Sequence, residues 1–197
     1  MKSKKSLAII GVIVLVIVIF LVTSYNGLVG KQETMNKQWA EVQSTYQRRL
    51  DLIPNLVNTV KGVSDFESST LEQIAEARGK AQAGQANATL SPENYTEQSA
   101  AQDNLAAAAN RVIVLIEKYP VLKGTTAYRG LQTQLEGTER RIKVARNDFN
   151  GAVAEYNKSV RSFPTSVAAG LFGFKTQDGF TAGTGAEKAV EINFNSK

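Results

Sequence analysis

The longest apolar stretch of the chain lies at its start. The segment LAIIGVIVLVIVIFLVTSY, from Leu7 to Tyr25, contains no charged residue. As a helix with a rise of ~1.5 Å per residue it would be ~28 Å long, close to the ~30 Å hydrocarbon core of a bilayer. A cleaved signal peptide would have an apolar core of only about 7–15 residues, followed by a small-residue cleavage site. The pattern therefore favours an uncleaved, single-pass transmembrane helix.

Beyond this segment the apolar positions follow the spacing of an amphipathic helix. The gaps of three, four and seven residues place one set of side chains on a single helix face. That set is Met35, Trp39, Val42, Tyr46, Ile53, Leu56 and Val60. No strong stop signal precedes it, so we expect this helix to continue directly from the transmembrane segment.

A shorter second helix is predicted next, followed by a loop. Its apolar face consists of Leu71, Ile74 and Ala77, and Glu76 and Lys80 form an i,i+4 pair on its surface. Residues 82–91 have a small, polar composition without periodicity, which indicates a loop.

The third helix has recognisable start and stop signals. Ser91 is suited to an N-cap and Pro92 to the first helical position. The apolar face then runs through Leu105, Ala109, Val112, Ile116 and Tyr119. Pro120 disfavours the α-region at the residue before it, so the helix is expected to end at Tyr119–Pro120.

The fourth helix carries the most sustained pattern, from about Thr125 to Pro164. Its apolar face contains Tyr128, Leu131, Leu135, Thr138, Ile142, Ala145, Phe149, Ala152, Tyr156 and Phe163. Glu136–Arg140 and Glu139–Lys143 are spaced as surface ion pairs. Such a helix would be ~58 Å long, which favours an elongated bundle with coiled-coil-like helices.

The C-terminal tail, residues 166–197, has a different character. It is punctuated by glycine, and the segment AVEINF alternates in polarity, as does a short strand that could add to a partner's sheet edge. A mobile terminus explains the same composition equally well.

These patterns predict an all-α protein with a defined domain order. A short basic N-terminus, residues 1–6, precedes the transmembrane helix of residues 7–25. An antiparallel bundle of about four helices follows in residues 26–165, and the glycine-punctuated tail of residues 166–197 closes the chain.

Composition narrows the chemistry. The chain contains neither cysteine nor histidine, which removes thiolate ligands and nucleophiles as well as the commonest general base and metal ligand. The net charge is +5, but three of the lysines lie before the apolar segment, so the body is nearly balanced. A nucleic-acid-binding domain would concentrate basic residues on its folded part, and we therefore expect no nucleic-acid partner.

The flanks of the apolar segment predict its orientation. Lys2, Lys4 and Lys5 precede it, whereas the first charge after it, Lys31, is soon followed by Glu33. The positive-inside rule then leaves the N-terminus in the cytoplasm and the bundle on the periplasmic, extracytoplasmic side of a bacterial inner membrane.

An ordered set of motifs resembles the bacterial LemA family. The motifs include YNGLV at 25–29, DLIPNLV at 51–57, YPVLK at 119–123, LEGTERRI at 135–142 and YN at 156–157. The residues that carry the resemblance, and are candidates for interaction, are Trp39, Arg49, Asp51, Pro54, Asn55, Glu136, Gly137, Thr138, Arg141, Arg146, Asn150, Tyr156 and Asn157. The resemblance implies a membrane-anchored helical bundle without an assigned reaction. It also implies a short extracellular N-terminus, as suggested for family members, which conflicts with the lysine argument.

No residue pattern indicates a catalytic, cofactor or metal site. Glu136 and Glu139 lie one turn apart, but their basic i,i+4 neighbours favour a solvated ion-pair face. Asp51 beside Arg48 and Arg49 could form a buried network, although such a network is weak evidence for catalysis.

Two pairs of alternatives stay open in the helical segments. Asn150 and Asn157 are two turns apart, which favours a polar residue that fixes helix pairing over a row that faces a ligand. Pro54 either bends a continuous helix or lies in the first turn of a new helix capped by Asp51.

We expect a non-enzymatic scaffold or adaptor of the cell envelope, anchored in the lipid bilayer and self-assembling into a homo-oligomer. Self-assembly rests on the long apolar face of the fourth helix and on Trp39, Phe149 and Tyr156, which could exceed what one bundle buries. The alternative is that all of these side chains are monomer core. A second expectation is a regulator or adaptor subunit for a membrane protease or another envelope enzyme, with an envelope protein as its partner.

Overall fold

The structure, a computed structural model, describes residues 2–61, 68–86 and 92–180. Within these ranges it is helical, without a strand, which confirms the all-α prediction. The helices are α1 (Lys2–Val60), α2 (Ser68–Ala86), α3 (Pro92–Ile116), α4 (Pro120–Lys123), α5 (Thr126–Arg161) and α6 (Thr165–Phe172).

Helix α1 joins the apolar segment to the bundle without interruption. It contains 59 residues and is therefore ~88 Å long at ~1.5 Å per residue. Its N-terminal part is apolar enough to cross a membrane, and the side chains from Leu7 to Ile19 are exposed. The expectation that the first bundle helix continues from this segment is confirmed.

Pro54 lies inside α1, so the alternative of a new helix capped by Asp51 is wrong. The Asp51 side chain instead accepts a hydrogen bond from Nε2 of Gln47, at 2.7 Å. Because proline has no N–H, it cannot donate to the carbonyl of Leu50, four residues earlier. Nε of Arg78, on α2, donates to that carbonyl at 3.3 Å. The backbone acceptor left by the proline is thus used to attach α2.

The four long helices run alternately up and down. Helices α1 and α5 are antiparallel, as the pairs Lys31–Glu155 and Arg49–Glu139 show. Hydrogen bonds from Gln85 to Gln43 and from Arg111 to Gln73 give the same relation for α2 with α1 and with α3. The predicted antiparallel bundle is therefore present.

The end of the bundle far from the apolar segment is a true four-helix section. Its core, here called the distal core, receives apolar side chains from α1, α2, α3 and the first part of α5. The principal members are Leu50, Ile53, Leu56, Val60, Ile74, Leu105, Val112, Ile116, Tyr128, Leu131 and Leu135.

The end near the apolar segment is built mainly from α1 and α5. Its core, here called the proximal core, includes Leu28, Met35, Trp39, Val42, Tyr46, Ile142, Phe149, Val153 and Tyr156. Two helices alone would leave this apolar strip partly open. Tyr95 of α3, Ala169 of α6 and the tail residues Phe174 and Phe180 cover it.

The apolar face of α5 differs from the prediction near its C-terminus. Val153 and Val160 are buried, Ala152 is only half-buried, and Phe163 is 85% exposed. The predicted strict repeat assumed 3.5 residues per turn, whereas an α-helix has about 3.6 and drifts away from that repeat. The helix also ends at Arg161, before Phe163. At its other end, the Thr125 side chain caps α5 by accepting from the Tyr128 N–H.

Two boundaries around α2 and α3 also differ. Residues 82–86 are the last turn of α2 and not a loop, because glutamine and alanine are good helix formers. Residues 87–91, the rest of the predicted loop and the Ser91 cap, lie outside the described residues. Helix α3 ends at Ile116, and Pro120 opens the short helix α4, where its missing N–H is harmless.

The first part of the tail is ordered against the bundle. Helix α6 crosses the predicted boundary at 165/166, and Gly173 ends it in the left-handed conformation, with φ of 77°. Residues 174–180 are neither helix nor strand, and Phe174 and Phe180 pack on the proximal core. A mobile terminus is therefore the wrong description for residues 166–180, and the predicted strand at 189–194 lies outside the described residues.

Candidate functional site

Asn150 and Asn157 of α5 hold the backbone of the extended tail. Nδ2 of Asn150 donates to the Phe180 carbonyl at 3.0 Å, and Oδ1 accepts from the Phe180 N–H at 2.7 Å. Asn157 makes the same two bonds with Gln177, at 2.7 and 2.8 Å. Each side-chain amide thereby satisfies both polar groups of one tail residue. The expectation that these asparagines fix helix pairing is wrong, since they bind the tail.

Phe180 enters an aromatic pocket formed by three helices. Its ring centroid lies 6.0 Å from that of Trp39 on α1, 5.5 Å from Tyr95 on α3 and 5.4 Å from Phe149 on α5. The guanidinium of Arg146 lies 5.4 Å from the Phe180 ring centroid. Edge-to-face and cation–π contacts of this kind favour an aromatic residue at this position.

The two residues before Phe180 are also recognised. The Tyr95 hydroxyl donates to the Asp178 carbonyl. At Gly179 an added Cβ would lie 2.6 Å from Oδ1 of Asn150, so any larger residue would displace the asparagine from the tail. We call the surface formed by Trp39, Tyr95, Arg146, Phe149, Asn150 and Asn157 the tail groove.

A hydrogen bond and an ion pair fix the position of Arg146, which forms one wall of the tail groove. Nε of Arg146 donates to the Tyr46 hydroxyl at 2.9 Å, and Nη2 donates to Oδ1 of Asp103 at 2.8 Å. Burial raises the pKa of Tyr46, although Arg146 opposes the rise. Burial alone would lower the pKa of Arg146, but Asp103 and Tyr46 raise it. Arg146 is therefore a fixed cation.

A second polar cluster lies inside the bundle at the start of the distal core. Arg49 is only 2% exposed. Its Nη1 donates to the Gln102 carbonyl at 2.8 Å and to Oε1 of Gln102 at 3.2 Å, and its Nη2 lies 2.6 Å from Oε2 of Glu139. Nε of Arg49 and Nε2 of Gln102 have no acceptor among the described residues. We call Arg49, Gln102 and Glu139 the buried arginine cluster.

The structure corrects three expectations about charged residues. Glu139 pairs with Arg49 and not with Lys143, because α5 turns Glu139 toward α1. Glu136 accepts from Gln132 at 3.1 Å instead of pairing with Arg140. The expected network of Asp51 with Arg48 and Arg49 does not form, since Asp51 and Arg48 are exposed while Arg49 is buried.

The remaining candidates do not converge on a site. Asn55, Glu136 and Arg141 are exposed, whereas Thr138 is buried and donates to the Gln134 carbonyl at 2.8 Å. Gly137 is half-buried, and a Cβ there would meet nothing within 4 Å. Arg141 borders an open depression of ≈ 270 Å³ between α1 and α5.

Apolar side chains are exposed beside the end of the membrane segment. In and before α6 they are Phe163 (85%), Val167 (58%), Leu171 (67%) and Phe172 (45%). Tyr25, the last residue of the apolar segment, contacts the rings of Phe172 and Phe174, with centroids 5.0 and 5.7 Å apart. We call Phe163, Val167, Leu171 and Phe172 the α6 patch. Of the flanking lysines, Lys5 is exposed, and the side chains of Lys2 and Lys4 lie outside the described residues.

The aromatic residues invoked for self-assembly belong to the core of one chain. Trp39 is 3% exposed, Phe149 0% and Tyr156 2%. The alternative that they are monomer core is therefore correct, and they provide no reason for association. Burial raises the pKa of Tyr156 and of Tyr128, as it does for Tyr46.

The functional residues missed in the sequence share one property: their partners are distant in the chain. Tyr95 and Gln102 lie on α3 outside its predicted apolar face, Phe180 lies in the tail, and each contacts residues on other elements. The spacing of Asn150 and Asn157 was the one signal, but it did not reveal the tail as their partner. Among the described residues, no group of acidic side chains is arranged to hold a metal ion.

Comparisons with known proteins identify relatives over most of the chain. The model of the LemA family matches residues 38–194. Magnetosome protein MamQ 2 of Paramagnetospirillum magneticum is 26% identical over 188 residues, which cover 85% of this chain and 69% of that protein. Magnetosome protein MamQ of Magnetospirillum gryphiswaldense has the same identity and coverage. Protein LemA of Metamycoplasma hominis is 24% identical over 144 residues, 73% of this chain and 63% of that protein.

Proposed function

This chain belongs to the LemA family, and we propose that it is a non-enzymatic scaffold or adaptor of the bacterial cell envelope. The coarser statement, a membrane-associated helical protein, follows from the family and from the apolar helix. The finer proposal rests on the continuity of α1 over 59 residues. A single helix that leaves the bilayer and becomes the spine of the bundle holds that bundle at a fixed height.

The α6 patch supports the placement of the bundle directly on the membrane. Its apolar side chains are exposed beside Tyr25, where the apolar segment ends. Exposed apolar side chains at this level are stabilised when they enter the interface between headgroups and acyl chains. Lys31 follows the apolar segment, and Lys158, Arg161 and Lys175 flank α6; all four are exposed and can meet lipid phosphates. We therefore include the lipid interface as a second contact besides the transmembrane helix.

The convergent polar groups are occupied by structural partners, which favours a role in binding over one in catalysis. The amides of Asn150 and Asn157 hold the tail, and Arg49 is held by Gln102 and Glu139. The chain also contains no cysteine or histidine to act as a nucleophile or general base. Residues after the span are proposed to lie on the periplasmic side of the inner membrane.

Self-assembly is proposed as part of this function and is tested on the full-length protein. In native membranes, amine-reactive cross-linking should give discrete oligomers, with the same size in mild detergent. A monomer at all concentrations, or cross-links only to one other envelope protein, would contradict the scaffold and favour an adaptor for a membrane enzyme. A transmembrane control protein of equal abundance shows how much cross-linking random collisions produce.

A further inference from the structure

We propose that the tail groove is a peptide-recognition site for an extended segment with a glycine–aromatic pair, and that copies of this chain exchange the segment Gln177–Phe180. The inference rests on the proposed function, because it gives self-assembly a physical route. This route does not require Trp39, Phe149 and Tyr156 to form an exposed interface between copies, since their side chains are buried.

The groove recognises backbone as peptide-binding proteins do. Two asparagine amides separated by two helical turns pair with the N–H and carbonyl groups of residues three apart in the tail. Backbone pairing of this kind fixes an extended conformation and its position, and the side chains of the bound segment add selectivity. In this tail the selective positions are Gly179 and Phe180.

Selectivity follows from the lack of space beside Gly179 and from the aromatic pocket around Phe180. Any side chain in place of Gly179 collides with Oδ1 of Asn150, with a Cβ at 2.6 Å. The Phe180 ring packs against the rings of Trp39, Tyr95 and Phe149. Asp178 is exposed and contributes only its carbonyl, so its side chain is not read. The ligand class is therefore an extended peptide with glycine before an aromatic residue.

A second copy can supply this segment without loss of contacts. Identical chains offer the same groove and the same tail, so an exchanged segment forms the same bonds. The rigid α1 places every groove at the same height above the membrane, which raises the local concentration of the segment. The seven residues from Phe174 to Phe180 reach about 23 Å when extended. That reach is about twice the ~10–12 Å diameter of a helix, so the segment is long enough to cross to an adjacent copy.

Gly173 provides the point at which the tail can change direction. Its φ of 77° lies in the left-handed region, which glycine adopts freely. It separates α6, which packs on both α1 and α5, from the segment that is bonded to Asn157 and Asn150. A change at this residue redirects the tail without unfolding α6.

Peptide binding tests recognition directly. Full-length protein with Phe180→Ala, in detergent, has an intact groove and a weakened tail. A labelled peptide of residues 174–183 should bind to it, and at least tenfold more weakly to a chain that also carries Asn150→Ala and Asn157→Ala. Peptides with Gly179→Ala or Phe180→Ala should lose binding at least tenfold, whereas Asp178→Ala, the matched control, should retain it. Absence of binding, or equal binding by all peptides, would overturn the recognition site.

Cross-linking of single-cysteine chains tests exchange, because the native chain has no cysteine. Ala154→Cys on α5 and Thr176→Cys in the tail are both exposed and lie next to the contacts of Asn157. When the two variants are co-expressed with different tags, a short bis-maleimide should join them into a mixed dimer. Adding Phe180→Ala to the tail variant should abolish this dimer, while the doubly substituted chain controls for linkage within one chain.

The outcomes separate this inference from the proposed function. Linkage only within the doubly substituted chain would overturn exchange. If amine-reactive cross-linking still gave oligomers, self-assembly would stand and only its proposed route would fall. Loss of both signals would refute both.

Discussion

Removal of Glu139 should destabilise the bundle only while Arg49 is present. Arg49 is 2% exposed and Glu139 is 48% exposed, so the two ends of this ion pair have different access to water. Glu139→Ala leaves a buried guanidinium without its counter-ion, which costs about 3–5 kcal/mol in fully buried pairs. Water can reach the half-exposed side of the pair, so we expect the lower end, about 3 kcal/mol.

Arg49→Met removes the buried charge itself. The substitution leaves Oε1 of Gln102, on a side chain that is 1% exposed, without its donor, which costs about 1–3 kcal/mol. In this background Glu139 is a half-exposed surface residue without a partner. Its replacement by alanine should then change stability by no more than about 0.5 kcal/mol.

Thermal unfolding of the four proteins, followed by far-UV circular dichroism in one detergent, measures this coupling. For a protein of this size about 1 kcal/mol shifts Tm by ~2–4 °C. Glu139→Ala alone should therefore lower Tm by about 6–12 °C, and by less than about 2 °C when Arg49→Met is present. Glu136→Ala, one turn away and bonded only to Gln132 in the described structure, is the matched control and should have little effect.

Equal losses from Glu139→Ala in both backgrounds would refute this reasoning. They would show that Glu139 stabilises the helix by itself and that the buried arginine tolerates an unpaired state. An increase in Tm for Arg49→Met would refute only the cost assigned to Gln102.

Four further measurements test separate features. Pro54→Ala should raise Tm, because proline inside a helix costs ~3 kcal/mol relative to alanine. Proline also bends a helix, and we propose that this bend orients the bundle toward neighbouring copies, so the same change should impair assembly of the full-length protein; unchanged assembly would show that Pro54 does not orient the subunits. Burial raises the pKa of Tyr46 above its ordinary value. The protonated hydroxyl therefore contributes its full stabilisation of the fold below the ordinary tyrosine pKa, and this contribution is lost as pH rises through the higher folded-state pKa. Tyr46→Phe should lessen the alkaline fall in Tm. Val121→Cys, 89% exposed at the distal end, should react with an impermeant maleimide in intact spheroplasts, and reaction only after lysis would reverse the topology. Leu171→Cys carrying a polarity-sensitive dye should be quenched by lipid-borne quenchers, whereas the same dye at Val144, on the bundle side, should not; equal quenching would exclude a specific membrane contact of the α6 patch.

The sequence was sufficient for features that depend on local periodicity. The apolar face from Met35 to Val60 and most of that from Tyr128 to Tyr156 are buried as predicted. Each of these side chains repeats at the period of its own helix, so neighbours in the chain contain the information.

Features that depend on distant partners could not be predicted. Glu139 has an equally good local partner in Lys143, and only the packing of α5 on α1 selects Arg49. Asn150 and Asn157 lie 30 and 20 residues from the tail residues that they bind. The glycine-rich, polar composition of the tail did not indicate that residues 177–180 are ordered, because the hydrogen bonds that order them come from side chains of α5.

The proline in α1 has a consequence for how the helices find their alignment. Along an ordinary helix every interior carbonyl is occupied, so a partner helix can slide by a turn and meet nearly the same surface. Pro54 leaves a single vacancy on that uniform rod, at the carbonyl of Leu50, and Arg78 occupies it. The unpaired Leu50 carbonyl therefore favours the placement of α2 in which Arg78 can bond to it over placements one turn away. A residue that weakens a helix in isolation can in this way make the assembled bundle unambiguous.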